Sequence, residues 1–491
     1  MITDAQYAAW LVDPTAIRTT LFEANVNSSG SEMTRFFATD GYVSGASDAP
    51  ANQSYSPIAI GGVKITENIP IAGGARLSVG DIEIANLAGE RDSWLNDIWS
   101  SRSIKAYIGD IRWARSDFRM IFNGIISDIN SRSRDRLNLV VRDKMQRLNT
   151  PVTEAKLGGS TPNKDQLIPL CFGECHNVTP LLTNPATLEY QVHNGPVENI
   201  FEVRDNGQPV NCTVYNATGK FNLLAAPAGQ ITASVQGYKP ATTYYNTISQ
   251  LVQQIATNYG KASDRFSAGD LDSTNLAAFD TAHPQPVGLY LNQRMNVLQA
   301  LQALADSVGA QVVMSRTGLL QLVQIALPAV GTPTSIKSSQ QVDRTISVVN
   351  RTEVVAAVKL GYCKNNTVQL SLLTAIPAQH KDLFAQEYLT VTQTDTTVQS
   401  TYNLNVEPIQ INTLLMVGSD AQTEATRRLN LYKVPRTTYR LEATAGALLL
   451  TLGQAVTLYS NRFGLSAGVL GMVTALTPNW QNGHVTVEVM I

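Results

Sequence analysis

The sequence is poor in charged residues for a chain of its length. Of its 491 residues, 15% are Asp, Glu, Lys or Arg, against about a quarter in an average soluble protein. The 37 basic and 39 acidic residues leave a formal charge of −2, while 44% of the residues are hydrophobic. Intrinsic disorder combines low hydrophobicity with high net charge, and a dedicated nucleic-acid binder is usually basic, so both classes are excluded. Because charge keeps a free surface soluble, its scarcity predicts a surface largely covered by other subunits.

Long apolar runs are absent as well. The first ten residues lack the basic region and the apolar core of a secretory signal. No later run approaches the ~18 apolar residues that a membrane-spanning helix requires. We therefore expect a protein without a membrane span that is made and assembled in a cytosol.

Cysteine is also rare, with four in the chain. Cys171 and Cys175 form the one close pair and are followed by His176, whereas Cys212 and Cys363 stand alone. A structural zinc site pairs one short cysteine spacing with a second matching pair of ligands, which this sequence lacks. We predict reduced, partly buried thiols, no metal site and no cofactor.

Catalytic signatures are missing or stand in the wrong context. The chain contains no G-x-x-x-x-G-K-[ST], H-E-x-x-H or G-x-G-x-x-G motif. Gly464–Gly468 matches G-x-S-x-G, but a strand pattern follows it and no acidic residue lies between Ser466 and His484, so a hairpin loop is predicted. Asp270 and Asp272 follow a polar stretch instead of a buried strand, which also predicts a loop. No catalytic residue is therefore assigned.

Strand and helix patterns divide the chain into four predicted domains. Residues 1–152 and 330–491 are mostly β, and residues 153–239 form a small β domain with a turn at Asp205–Gly207. Residues 240–329 combine helical patterns with a hairpin and are predicted to be an α+β domain. The predicted fold class is mainly β with α+β, in a chain of several domains.

Several elements are specific enough to compare with a structure. An apolar stripe over residues 86–99 predicts a short amphipathic helix with buried tryptophans. Further helices are predicted over 247–259, after an N-cap at Asn296, and over 420–433. Asn482-Gly483, between two alternating runs, predicts a hairpin at the end of the chain.

The first and fourth domains share a hairpin pattern. Residues 124–130 and 137–141 are alternating runs around a polar turn, and residues 471–477 and 485–489 repeat this arrangement. Any two antiparallel hairpins resemble each other at a period of two residues, so the pattern fits both a structural repeat and a coincidence. The sequence leaves both interpretations open.

Positive charge is concentrated in one stretch. Residues 102–147 carry eleven Lys or Arg and five Asp, a balance of +6 in a chain of net −2. One interpretation, which we favour, is a set of solvated hairpin faces whose charges pair with those aspartates. The other is a basic rim that faces an acidic subunit or lines a pore for DNA. In the second case the candidate interface residues are Arg132, Arg134 and Arg136.

Several phrases of the sequence resemble a known family. Residues 80–99, 122–129, 143–151 and 169–180, together with the ending from Leu452 to Val489, resemble tail-tip proteins of long-tailed bacteriophages with non-contractile tails. The resemblance touches both ends and the middle of the chain. It rests on phrases typical of the family and on no catalytic signature.

This resemblance implies a baseplate hub. Such a hub is a homotrimeric ring in which two tube-like β-barrel domains per subunit, at the two ends of the chain, give three subunits a pseudo-sixfold face. It closes the distal tail tube, connects it to the central fibre and opens for genome ejection. The implied partners are a distal tail or tail tube protein, the tape-measure protein, central fibre or receptor-binding proteins, and phage DNA in transit. The implied location is the tail tip of a virion assembled in the bacterial host cytoplasm.

Two other classes of tail protein remain as alternatives. A cell-wall-degrading enzyme would need a cleft with paired carboxylates or a metal. A receptor-binding adhesin at the tip would bind host cells by itself. No segment resembles a lysozyme or a peptidase, so we expect a structural protein that is not an enzyme.

Overall fold

Strands dominate the fold, as the alternating sequence patterns predict. The computed structural model describes residues 2–70, 76–329, 331–342, 344–370, 372, 374–404 and 407–491. Val330, at the predicted start of the fourth domain, lies outside the described residues.

Most helices lie in the middle of the chain, and strands occupy both ends. The first strands are β1 (Arg18–Ser28), β2 (Ser31–Ala38), β3 (Tyr42–Val43), β4 (Ser54–Pro57), β5 (Ala59–Ile60), β6 (Ile65–Asn68), β7 (Arg76–Val79), β8 (Ile82–Ala85), β9 (Arg102–Asp110), β10 (Arg119–Ser133) and β11 (Arg136–Arg142). The next are β12 (Leu170–Val178), β13 (Leu181–Asn184), β14 (Glu189–Gln191), β15 (Val197–Asp205), β16 (Gln208–Pro209), β17 (Cys212–Tyr215), β18 (Lys220–Leu223), β19 (Ile231–Tyr238), β20 (Gly288–Leu291), β21 (Ala310–Met314) and β22 (Leu320–Gln324). The last are β23 (Thr334–Ile336), β24 (Ser347–Arg351), β25 (Ala357–Tyr362), β26 (Leu389–Thr394), β27 (Gln410–Asn412), β28 (Thr437–Ala443), β29 (Ala455–Leu458), β30 (Val469–Asn479) and β31 (His484–Met490). The helices are α1 (Asp4–Leu11), α2 (Ile248–Asn258), α3 (Ser273–Ala282), α4 (Val297–Asp306), α5 (Ala378–Phe384), α6 (Thr396–Thr401) and α7 (Gly418–Tyr432).

Contacts group the chain into two compact units. The first contains Met1–Gln146, Val312–Thr352 and Arg436–Ile491, so it unites the two ends of the chain. The second contains Arg147–Gln311 and Glu353–Pro435. The four domains predicted from the sequence are segments along the chain, whereas these units also combine segments that are distant in sequence.

Two large sheets, together with most of the two-stranded β21–β22 sheet, build the first unit. One has the strand order β3-β4-β2-β1-β9-β10-β11-β8-β5, and the other has the order β23-β29-β30-β31-β28-β24. The β6–β7 hairpin joins the second sheet because β6 pairs with β30. A single apolar cluster buries side chains of both sheets, among them Phe22, Phe122, Val473 and Val487. Full burial of a side chain of this kind contributes about 1.5–3 kcal/mol, so both ends of the chain depend on one core.

The second unit combines smaller sheets with helices. Its sheets have the orders β16-β15-β19-β12-β20, β13-β14-β18-β17 and β26-β25-β27. The predicted helix over 247–259 is α2, and its apolar stripe at Ile248, Leu251 and Ile255 is fully buried. Asn296 caps α4 as predicted and forms a capping box with Gln299.

Other sequence expectations met a mixed outcome. The helix over 420–433 is found as α7, and the C-terminal hairpin is found as β30 and β31. The α-helix predicted over 86–99 is wrong, because this stretch forms the 3-10 turns Leu87–Gly89 and Asp92–Asn96. The side chain of Asn86 accepts the Arg91 N–H at 2.8 Å, and such local bonds compete with a helix. The tryptophan prediction holds for Trp99, which is buried.

The aspartates at 270 and 272 lie at the junction of a 3-10 turn and a helix. Asp270 ends a 3-10 turn over Ala268–Asp270, and Asp272 caps α3, which the sequence patterns did not predict. The Asp272 carboxylate accepts the Asn275 N–H at 3.0 Å. Both carboxylates therefore have local structural partners.

Among the described residues, no helix has the length and apolar character needed to cross a membrane.

Candidate interface site

Two groups of four strands in the first unit have the same arrangement. We call β8, β9, β10 and β11 repeat 1, and β28, β29, β30 and β31 repeat 2. Their spatial orders are β9-β10-β11-β8 and β29-β30-β31-β28. In each repeat a 3-10 turn, at Leu87–Gly89 or Ala445–Leu449, follows the first strand. The shared hairpin pattern of the sequence is thus part of a structural repeat.

Both long hairpins carry a β-bulge at the same place. The register shifts at Ser127 in β10 and at Thr474 in β30. The Ser127 hydroxyl donates to the carbonyl oxygen of Val140 in the facing strand at 3.1 Å. The Thr474 hydroxyl donates to the carbonyl oxygen of Glu488, the equivalent residue, at 3.4 Å. Bulges bend a strand at a defined position, so the two hairpins share their curvature.

A glycine three residues before each bulge lets the strands approach. A Cβ added to Gly124 would lie 2.5 Å from the carbonyl oxygen of Arg142. A Cβ added to Gly471 would lie 2.7 Å from the carbonyl oxygen of Met490, the equivalent of Arg142. Real Cβ atoms do not approach a carbonyl oxygen so closely, so both positions require glycine.

The residue that precedes the second strand of each repeat is also equivalent. The Ser101 N–H donates to the carbonyl oxygen of Ile126 at 2.8 Å, and the Gly453 N–H donates to that of Val473 at 2.9 Å. Both have positive φ, 64° at Ser101 and 79° at Gly453. The repeats therefore match in backbone conformation as well as in strand order.

The hairpins differ in charge at one matched cross-strand pair. In repeat 1, Arg136 at the start of β11 forms an ion pair with Glu83 at 2.7 Å. In repeat 2, His484 at the start of β31 contacts Glu442, the equivalent of Glu83, at 2.8 Å. The matched pair is therefore arginine with glutamate in repeat 1 and histidine with glutamate in repeat 2.

The three candidate arginines lie at the exposed tip of the β10–β11 hairpin. Arg132 pairs with Asp81 and Arg136 pairs with Glu83, so two of the three have acidic partners from the β8 region. No acidic group among the described residues pairs with Arg134, which is exposed at the turn. The structure thus leaves Arg134 as the one uncompensated cation of the set.

Other basic residues of the stretch 102–147 also have acidic partners. The pairs are Arg102–Glu32, Arg112–Asp110, Arg115–Glu23, Arg119–Asp4 and Arg147–Asp270. Of these five pairs, one (Arg112–Asp110) has the predicted kind of partner, an aspartate of the stretch itself, whereas the other four have partners outside the stretch. Sequence proximity could not identify them because the pairs form between distant segments.

Asp110 shows how firmly such a pair is held. Its carboxylate is fully buried and accepts hydrogen bonds from the Arg112 guanidinium, from the Trp10 indole at 3.0 Å and from the Ile17 N–H at 3.1 Å. These donors, Arg112 above all, hold the pKa of Asp110 far below its usual range. The group stays ionised and has a structural role.

The cysteines and His193 offer no reactive centre. All four cysteines are free, and Cys171 and Cys175 are buried, as predicted for structural thiols. Burial raises the pKa of the Cys171 thiol, which disfavours the reactive thiolate. His193 accepts the Cys171 N–H at 2.9 Å, and burial lowers the pKa of His193 to about 3. Within the described part of the chain, no group of three or more His, Cys, Asp or Glu side chains is placed to hold a metal ion.

A polar cavity of about 460 Å³ lies in the second unit. Tyr238, Tyr259, Arg265 and Glu154 line it, and Glu154 is the sole carboxylate among its described lining residues. Glu154 forms an ion pair with Arg294 at 2.9 Å. The paired carboxylates of a glycoside-cleaving site are therefore not present around this cavity.

The G-x-S-x-G match lies where the sequence context predicts it. Gly464–Gly468 falls in the connection between β29 and β30, which pair with each other as an antiparallel hairpin. A nucleophile elbow requires a helix after the serine, and here a strand follows. Ser466 therefore has the environment of a hairpin loop.

Solved structures similar to this chain include tail proteins and a chain of a virion. The tail protein of Neisseria meningitidis MC58 is 12% identical, with 96% of each chain covered and a TM-score of 0.38. The 43 kDa tail protein of prophage MuSo2 from Shewanella oneidensis is 9% identical, with 96% of this chain and 98% of that chain covered and a TM-score of 0.40. A chain of the native gene transfer agent virion is 14% identical, with 71% of this chain and 91% of that chain covered and a TM-score of 0.43. Two of these neighbours are described as tail proteins and the third belongs to a virion, and similarities at this level assign no function by themselves.

No family model matches the sequence, and no curated protein matches it.

Proposed function

We propose that this chain is a structural subunit of a phage tail tip, a baseplate hub that forms a homotrimeric ring. The observation that carries the proposal is the structural repeat in the first unit. Two equivalent sheets per chain allow three copies to present a pseudo-sixfold face to a hexameric tube, and a closed ring requires heterologous contacts between copies. In this proposal the two repeats belong to the tube-like β-barrel domains at the two ends of the chain.

The same proposal defines the partners and the location. The ring closes the distal end of the tail tube, contacts a distal tail or tail tube protein and the tape-measure protein, and connects to a central fibre or receptor-binding proteins. The ring opens for genome ejection, so phage DNA contacts it only while the DNA passes through. The chain acts without cofactor and without catalysis, at the tail tip of a virion assembled in the host cytoplasm.

Arg134 is the residue of the candidate set best suited to an interface. Its exposure and its lack of an acidic partner in the described part of the chain leave its charge available to another subunit. Arg132 and Arg136 are committed to Asp81 and Glu83 and would act on a partner mainly by steering.

Charge reversal at Arg134 tests this interface. We expect Arg134→Glu to reduce the yield of infectious, fully assembled tails by about tenfold, since one lost contact of about 1.4 kcal/mol has that effect on association. The subunit should remain folded because Arg134 makes no internal ion pair with the described residues. The measurement is tail assembly scored by electron microscopy and infectivity.

The matched control is Arg294→Glu, which reverses another exposed arginine in the second unit. It should leave assembly close to the wild-type level. Wild-type assembly of the Arg134→Glu protein would contradict the interface role of Arg134.

A further inference from the structure

The two repeats differ at one strand edge. In repeat 2, β6 pairs with β30 at Ala475 and Leu476, on the side of β30 that faces away from β31. In repeat 1, β9 pairs with β10 only as far as Ile126. No other strand of the described chain pairs with β10 beyond Ile126 on that side. Repeat 1 thus has an open edge where repeat 2 has a paired one.

The backbone carbonyl at the bulge is the first group of this edge. In repeat 2, the Thr474 carbonyl oxygen accepts the N–H of Ile69, directly after β6, at 2.8 Å. Ser127 is the equivalent residue in repeat 1. Because the two bulges have the same register and the same side-chain hydrogen bond, the Ser127 carbonyl is directed to the open side.

The next backbone N–H along this edge is hydrogen-bonded to a neighbouring side chain. The Ile129 N–H, equivalent to that of Leu476, donates to the carboxylate of Asp128 at 2.9 Å. A charged residue at an exposed edge is a common way to protect unpaired backbone groups in a free subunit. The Asp128 side chain is exposed, so it can move aside for an incoming strand.

A buried acceptor at the same edge lacks a partner. In repeat 2, the hydroxyl groups of Thr477 and Thr66, from β30 and β6, are 3.1 Å apart. Asn130 is the equivalent of Thr477, and its Oδ1 atom is buried without a hydrogen-bond partner among the described residues. An unsatisfied buried polar atom costs about 1–3 kcal/mol, so β10 carries an unpaired acceptor at the position where repeat 2 has a paired hydroxyl.

Burial follows the same contrast. Thr474, Ala475 and Leu476 are at most 7% exposed under β6. Of their equivalents in β10, Ser127 and Ile129 are partly exposed and Asp128 is exposed. The residues at the open edge of repeat 1 are therefore more exposed than their equivalents beside β6 in repeat 2.

We propose that the edge of β10 at Ser127–Asn130 is the docking site for a strand of a second copy of this chain. The internal repeat supplies the reason for this occupant. The strand β6 lies shortly before repeat 1 in the chain but pairs with β30 of repeat 2. No described strand pairs in the same way with β10 of repeat 1. In a closed ring the docking strand comes from the neighbouring copy. This proposal rests on the ring proposed above and defines one of its contacts.

A proline at position 129 tests the docking site. Ile129→Pro removes the backbone N–H that donates to the Asp128 carboxylate and not to β11. We therefore expect the subunit to fold, whereas the addition of a strand at this edge should fail. The control Ile129→Val keeps the N–H and the strand propensity. By native mass spectrometry, Ile129→Val should assemble as wild type, whereas Ile129→Pro should need about tenfold more protein for the same trimer fraction.

Hydrogen exchange on the wild-type chain provides a measurement that needs no variant. The amides of residues 127–130 should exchange more slowly in the assembled ring than in the dissociated subunit. If the chain forms trimers but Ile129→Pro assembles normally and these amides remain unprotected, the docking site is wrong and the ring proposal stands. If the chain stays monomeric at all concentrations and in isolated tails, both proposals are wrong.

Discussion

Arg316 connects distant segments of the first unit through a single side chain. Its guanidinium bonds to the carboxylate of Glu67 at 3.3 Å and to the carbonyl oxygens of Leu448 and Leu450 at 3.1 Å each. It also lies 5.6 Å from the ring centre of Trp480. Glu67 is 5% exposed, so its charge depends on this partner.

Removal of this cation is predicted to be costly. Arg316→Met leaves the Glu67 carboxylate buried without a counter-charge, and breaking a buried pair in this way costs about 3–5 kcal/mol. Chemical denaturation at pH 7 measures the loss. The control is Arg294→Met, whose partner Glu154 is exposed, and it should cost about 0–1 kcal/mol.

The effect should depend on pH with a defined sign. Burial raises the pKa of Glu67, and the Arg316 charge opposes that rise. A raised carboxyl pKa means that the folded state takes up a proton more readily than the unfolded state, so the folded state loses stability as pH rises through that range. The deficit of Arg316→Met should therefore be largest at pH 7 and shrink as the pH falls toward the ordinary carboxyl pKa of about 4.3. A deficit that is independent of pH would contradict the assignment to Glu67.

At the scale of the element, the two bulged hairpins are the most constrained part of the fold. Gly124 and Gly471 lie against equivalent carbonyl oxygens, and Ser127 and Thr474 make equivalent hydrogen bonds. A constraint repeated at matched positions in two sheets reflects a shared backbone geometry. Substitution at matched positions should therefore have matched consequences.

This equivalence gives a prediction for the glycines. Gly124→Ala and Gly471→Ala should each destabilise the fold by about 1–3 kcal/mol, since the added methyl group forces the facing strand to shift. Gly446→Ala is the control, because its Cβ would meet no atom closer than 3.7 Å and its φ is not positive. Thermal unfolding measures all three. Tolerance of alanine at either hairpin position would contradict the close strand approach.

Local sequence signals predicted some elements and missed others for physical reasons. The helix α4 was predictable because its cap at Asn296 and its apolar stripe agree with each other. The stretch 86–99 also has an apolar stripe, but Asn86 and Asp92 bond to each other and Asn86 also bonds to the backbone, which diverts the chain into turns. The helix α3 follows its N-cap Asp272 in a polar part of the sequence and buries Leu276 and Phe279. Its apolar pattern was therefore too weak to predict a helix.

For the whole molecule, low surface charge and the repeat lead to the same expectation. A content of 15% charged residues favours a surface covered by other subunits, and the proposed ring of copies would provide that cover. We expect native mass spectrometry to find a trimer of the 53.2 kDa chain, and images of isolated tails to place it at the distal tip. A monomer at micromolar concentration together with an empty tip would contradict the hub.

The sequence alone determined the mainly β kind of fold and many of its local elements, because hydrophobic periodicity, turn residues and caps act between near neighbours. It also indicated the hairpin pattern in both halves and the three tip arginines Arg132, Arg134 and Arg136. Only the tertiary structure decided that the pattern is a repeat, that Arg134 alone of these three arginines lacks an acidic partner among the described residues, and that β10 has an open edge. Those facts depend on pairing between segments that are distant along the chain, which the order of residues does not display.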